Sequence, residues 1–142
     1  DRETGEITYV KMPDIDLPEG GLFAGMQLPV GVFTGKHGPH SFAEGDDNKL
    51  WLTNSLSSTL MAYDTETNEF ETFDVGGDSL YLHTIRKDQQ GRMWFTVALS
   101  NQVGVFDPKT KQLDLLDLPV DSIGQWITER QSDFNHVHTI FF

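Results

Sequence analysis

The chain has no cysteine among its 142 residues. That excludes disulfides, zinc–thiolate sites and thiol catalysis, though it does not fix the compartment. Basic residues are scarce: 10 Lys and Arg stand against 22 Asp and Glu, for a net charge of −12 and a pI near 4.5. Nucleic acids and anionic membranes need a basic footprint, so neither fits as the main partner. A cation, a polar small molecule or a basic partner fits better. No apolar run approaches the roughly 18 residues of a membrane span, so no membrane insertion is expected. No signal peptide is visible, and the first residue is Asp1, not Met. No segment carries a convincing helical period.

What is present is a repeat. Residues 40–75 align without a gap on residues 83–118, a period of 43. His40 falls on His83, Trp51 on Trp94, Thr53 on Thr96, Asp64 on Asp107 and Asp74 on Asp117. Self-similarity at about 40–50 residues marks propellers and solenoids. Residue types that recur once per repeat are gathered in space when the repeats circle an axis.

Each copy reads as four short strands. LWLT (50–53) and MWFT (93–96) are apolar, aromatic runs suited to a buried strand. Asn48 and Gly91 precede them at matching places, and both residue types tolerate positive φ. TLMAY matches QVGVF, and FETFDV matches LDLLDL. The turns between these last two strands open with Asp64 and Asp107, whose side chains can bond backbone amides further on.

Four antiparallel strands per repeat predict an all-β fold of β-propeller blades. A compact β-sandwich is the structural rival. The ends look like partial copies. Residues 1–13 resemble the last turn and strand of an earlier blade, with Gly5 on Asn68. Residues 136–142 resemble the first strand of a later one. Residues 14–39 and 119–135 read as long loops, placed where function sits. The expected layout is therefore two complete blades, 40–75 and 83–118, with partial blades at both ends. A closed propeller needs about four to eight blades. The remaining blades are expected from a longer chain or from other copies.

These residues carry a resemblance. Pro39-His40, Asn48, Leu50-Trp51-Leu52-Thr53 and Asp64-Thr65-Glu66-Thr67 form one copy of a pattern. His83, Gly91, Met93-Trp94-Phe95-Thr96, Asp107-Pro108-Lys109-Thr110 and Leu118-Pro119 form the other. The pattern resembles the streptogramin B lyase (virginiamycin B lyase-like) propellers. The resemblance implies a seven-bladed ring whose characterised members open a cyclic depsipeptide by elimination. It implies a magnesium ion, or another divalent metal, held by a Glu; a catalytic His two residues after it; and a second Glu directly after the W-F-T run. The His position falls on His40, His83 and His138. The first Glu position falls on Gly38, Tyr81 and His136, and the second on Asn54 and Val97. The histidines match and the glutamates do not.

His40, His83 and His138 are the sharpest candidates. On innermost strands they would share one axial space, where imidazoles can bind a ligand, contact a metal or move a proton. His83 and His138 are the candidate catalytic residues, and His40, His83 and Trp126 the candidate ligand contacts. His136 and His138, at i and i+2, share a strand face and form the candidate metal pair. The competing reading is that each His only fixes blade packing, which repetition favours. His37, in a Gly-rich loop, is expected at the rim. Trp51 and Trp94 are expected in the inter-blade core. Glu44, Asp46 and Asp47 read as a solvated acidic turn without calcium-loop spacing. Three functions stay open. One is a metal-assisted lyase opening a cyclic ester or lactone at the channel mouth. Another is a non-catalytic propeller module that binds a small molecule or protein partner, in a larger exported (periplasmic or extracellular) protein. The third is a purely structural piece of an assembly.

Overall fold

The structure, a computed structural model, describes residues 3–25, 34–46, 48–76 and 78–119. Strands β1 (Pro39–Glu44), β2 (Lys49–Asn54), β3 (Thr59–Asp64) and β4 (Phe70–Asp74) form one antiparallel sheet in the order β1-β2-β3-β4. Strands β5 (Leu82–Lys87), β6 (Met93–Val97), β7 (Gln102–Asp107) and β8 (Gln112–Asp117) form a second in the order β5-β6-β7-β8. These are two complete propeller blades. Among the described residues no helix is long and apolar enough to cross a membrane.

The turns repeat as the residues predict. Four left-handed positions recur between the repeats, 43 residues apart: Gly38 and Tyr81 (φ 64° and 66°), Asn48 and Gly91 (59° and 86°), Ser58 and Asn101 (50° and 52°), and Asn68 and Lys111 (60° and 61°). Asp64 Oδ1 accepts the amides of Glu66 and Thr67 at 2.9 and 3.1 Å. Asp107 Oδ1 does the same for Lys109 and Thr110 at 2.8 and 3.4 Å. Each carboxylate closes the turn that pairs its third strand with its fourth.

The core lies between the sheets, where β5 packs on β1 and β2. Trp51 is 2% exposed. Its ring stacks on Phe73 of its own sheet at 5.5 Å and meets Phe106 of the next sheet at 5.4 Å. A buried indole removes on the order of 200 Å² from water, roughly 5 kcal/mol before entropy. Leu60, Leu82, Ile85, Met93, Phe95 and Val97 complete the packing.

Inside the blades the two copies fill one space differently. The cross-strand pair is Leu52 and Met61 in the first sheet, and Phe95 and Gly104 in the second. A Cβ on Gly104 would stand 2.1 Å from Phe95 Cζ. The larger ring in the second sheet needs the missing side chain opposite it.

Two expectations change. Trp94 is half-buried, not core. Its Nε1 donates to Asp88 Oδ2 at 2.8 Å and Arg92 lies over its ring at 5.3 Å. Trp51 has the second sheet to cover it, and no described sheet plays that part for Trp94. Residues 3–13 form no strand, and Ile7 and Tyr9 are 76% and 91% exposed. The local turn survives nonetheless. Gly5 keeps φ 71°, and Glu6 N donates to Thr4 Oγ1 as Gln112 N does to Thr110 Oγ1. Turn geometry is local, while a strand requires a neighbour to pair with.

Candidate functional site

His40 and His83 lie on β1 and β5, the strands through which the two sheets meet. Each falls in an irregularity of pairing, between Pro39 and Ser41 in one sheet and between Leu82 and Ile85 in the other. A bulge re-aims the side chain it carries. The result is contact: the two imidazole centroids are 3.8 Å apart, with planes inclined at 39°.

The second strand of each blade supports that bulge. Thr53 Oγ1 accepts the Ser41 amide at 3.2 Å, and Thr96 Oγ1 accepts the equivalent Thr84 amide at 3.1 Å. Thr53 then donates to the carbonyl oxygen of His83 at 2.5 Å. Beside it, Ser55 Oγ donates to Leu82 O at 2.8 Å. The Ser41 hydroxyl accepts the Ile85 amide at 3.4 Å. The backbone that carries His83 is thus held by the blade that carries His40.

Two aromatic residues that sequence reasoning missed join the pair. Tyr81 stands 6.0 Å from His40 and 5.9 Å from His83, and Phe23 meets Tyr81 edge-on at 6.1 Å. Tyr81 has φ +66°, a left-handed conformation uncommon for a bulky side chain. Holding it there costs on the order of 1 to 3 kcal/mol. Its place in the repeat is that of Gly38 (φ 64°). A Tyr where the other copy has Gly was the available signal. Phe23, on a short 3-10 turn (Gly21–Phe23), had none, because only the fold of the loop brings it near.

A cleft of about 300 Å³ opens here, bordered by Thr34, Gly38, Pro39, His40, Leu56 and Tyr81. Burial holds the His40 pKa below the ordinary 6.5, because a partly covered imidazole loses hydration when charged. The ring is therefore neutral near pH 7, able to stack, to accept or donate a hydrogen bond, and to take a proton.

His37 is not a rim residue. It is 8% exposed, and its Nε2 lies 2.7 Å from the carbonyl oxygen of Pro13. With Lys36 Nζ donating to Ile15 O at 3.0 Å, it ties the N-terminal segment to the loop before β1. At the glutamate positions of the resemblance stand Gly38, Tyr81, Asn54 and Val97. Asn54 and Val97 are fully buried, and Asn54 Nδ2 donates to Thr59 Oγ1. Among the described residues no three His, Asp or Glu side chains converge as a metal site. Trp126, His136 and His138 lie outside the described residues. Asp46, in the acidic turn, pairs with Lys87 of the second sheet at 2.9 Å.

No protein-family model and no curated protein sequence matches the chain. Solved structures do. A streptogramin B lyase structure superposes with a TM-score of 0.55 at 22% identity, over 58% of this chain and 27% of that one. A virginiamycin B lyase from Staphylococcus aureus gives 0.55 at 17% identity, over 62% and 29%. A hydrazine synthase from Kuenenia stuttgartiensis gives 0.52 at 20% identity, over 67% and 28%. The chain spans less than a third of the length of these proteins. At such identity the likeness establishes the propeller fold and no activity.

Proposed function

We propose that this chain is a part of a β-propeller that binds a small ligand where its inner strands meet, through His40, His83 and Tyr81. The observation that carries this reading is the contact of His40 with His83 across two blades, beside an aromatic-walled cleft. The repeat alone explains one His per blade. It does not explain why His40, in contact with His83, edges a cleft that also takes a strained Tyr. Ligand sites favour such concave places with few polar groups converging. Remaining blades, from a longer chain or other copies, would close the ring around the site.

The second reading is a metal-assisted lyase acting on a cyclic ester or lactone. It is favoured by the fold shared with streptogramin B lyase and by the recurring His. In it His83 and His138 act as acid–base groups, and His136 with His138 meets magnesium or another divalent metal. The absence of Glu at 38, 81, 54 and 97 weighs against a complete lyase centre in these two blades.

Quinupristin, the compound named with one virginiamycin B lyase structure, separates the readings. The full-length protein is titrated calorimetrically, with and without magnesium, and the mixture is chromatographed for ring-opened product. Binding that weakens in His83→Ala, with no product, supports the module. Product formation abolished by His83→Ala overturns it in favour of the lyase.

A further inference from the structure

Tyr81 occupies a backbone slot that the other blade fills with glycine. The slot is imposed by the main chain. In the first blade Gly38 O accepts the Ser55 amide and His37 O the Leu56 amide, both at 2.8 Å. In the second, Tyr81 O accepts the Ala98 amide at 3.0 Å and Leu80 O the Leu99 amide at 3.2 Å. The same connection is made twice, with φ 64° and 66°. Glycine adopts that conformation freely and a Tyr does not. The fold alone therefore favours glycine at 81. Residues kept in such conformations cluster at ligand clamps and active sites.

The surroundings say what the side chain is for. Its ring faces His40, His83 and Phe23. The cleft it borders has an aliphatic wall in Leu56 and Pro39. Among the described lining residues there is no Asp, Glu, Lys or Arg. An ion of either sign would therefore meet no opposite charge in the lining, and burying a charge without an ion pair is costly. A neutral ring would meet aromatic faces and edges at favourable spacings instead.

We propose that Tyr81 is a ligand-binding residue retained against the preference of its backbone, and that the ligand presents a neutral aromatic ring to the cleft between His40 and Tyr81. This rests on the binding role proposed above and narrows its ligand class. The test follows the His40 and His83 ring protons by NMR in the full-length protein. One titration uses N-acetyl-tryptophanamide, a neutral aromatic probe, and a parallel one uses N-acetyl-lysinamide, a cation. The expected result is a saturable shift with the tryptophan probe only. Tyr81→Gly then weakens binding about tenfold, the loss of one good aromatic contact, while the protein stays folded with an unchanged or higher melting temperature. Tyr81→Asn, which tolerates the same backbone, behaves likewise. Equal binding by Tyr81→Gly and wild type overturns the role of Tyr81, and so does unfolding of both variants. A saturable shift with the lysine probe, or with neither probe, overturns the ligand class. Quinupristin binding that depends on His83 would leave the broader binding role standing in each of those cases.

Discussion

The hydroxyl of Thr53 donates to the main-chain carbonyl of His83, 2.5 Å away in the neighbouring sheet. The same oxygen accepts the Ser41 amide in its own sheet. One fully buried hydroxyl thereby closes a bulge in the first blade and fixes the strand that carries a site residue in the second.

Thr53→Val removes the hydroxyl and keeps the shape. It leaves the Ser41 amide and the His83 carbonyl without that partner, at a cost of about 1 to 3 kcal/mol. Urea unfolding should show the lower midpoint, and Thr53→Ser should recover most of it. The histidine ring resonances should also move in Thr53→Val, since the bulge that aims them loses its support.

Gly104→Ala should destabilise by about 1 to 3 kcal/mol through overpacking against Phe95. The first blade suggests the remedy, because there the smaller Leu52 faces the larger Met61. A Phe95→Leu change in the Gly104→Ala background should restore part of the loss. A double-mutant cycle in urea measures the coupling, and strictly additive effects would contradict this packing.

Asp88 gives a pH dependence with a defined sign. Burial works to raise its pKa, but hydrogen bonds from the Trp94 indole, Arg92 and the Gln90 amide overcome that and lower it from 3.8 to about 2. The folded state thus favours the carboxylate. The stabilisation is complete above the unfolded value of 3.8 and is lost as pH falls through about 2. Unfolding midpoints of wild type and Asp88→Asn should differ at pH 5 and converge toward pH 2. A difference that grows on acidification would refute the assignment.

His40 should titrate below 6.5, because burial disfavours its charged form. The sign here is opposite in cause though similar in direction. Neutral His40 costs nothing above 6.5, and protonation opposes folding as pH falls below it. NMR of the His40 Cε1 proton gives the midpoint directly. A value above 6.5 would mean that an acidic partner, and not burial, governs the ring.

His37→Ala should free the N-terminal segment, since His37 bonds the Pro13 carbonyl from a buried position. Limited proteolysis within residues 3–25 should accelerate several-fold in proportion to the opened population, with the blades left intact.

Much of this protein was legible from the 43-residue period. It predicts the strands, the Asp-closed turns, the left-handed Asn and Gly positions and the kinship of His40 with His83. These are local or repetitive properties, written in residues close to one another along the chain. The tertiary structure decided the rest. It separated Trp51 from Trp94, because burial depends on the neighbouring sheet and not on the residue. It turned His37 inward, because a carbonyl 24 residues away lies within reach of its ring. It also drew Tyr81 and Phe23 to the histidines, the first from a backbone slot that repeats with Gly38 and the second through a loop that carries no periodic mark. The sequence alone determined which side chains repeat. Only the packing of one blade on the next determined which of them meet.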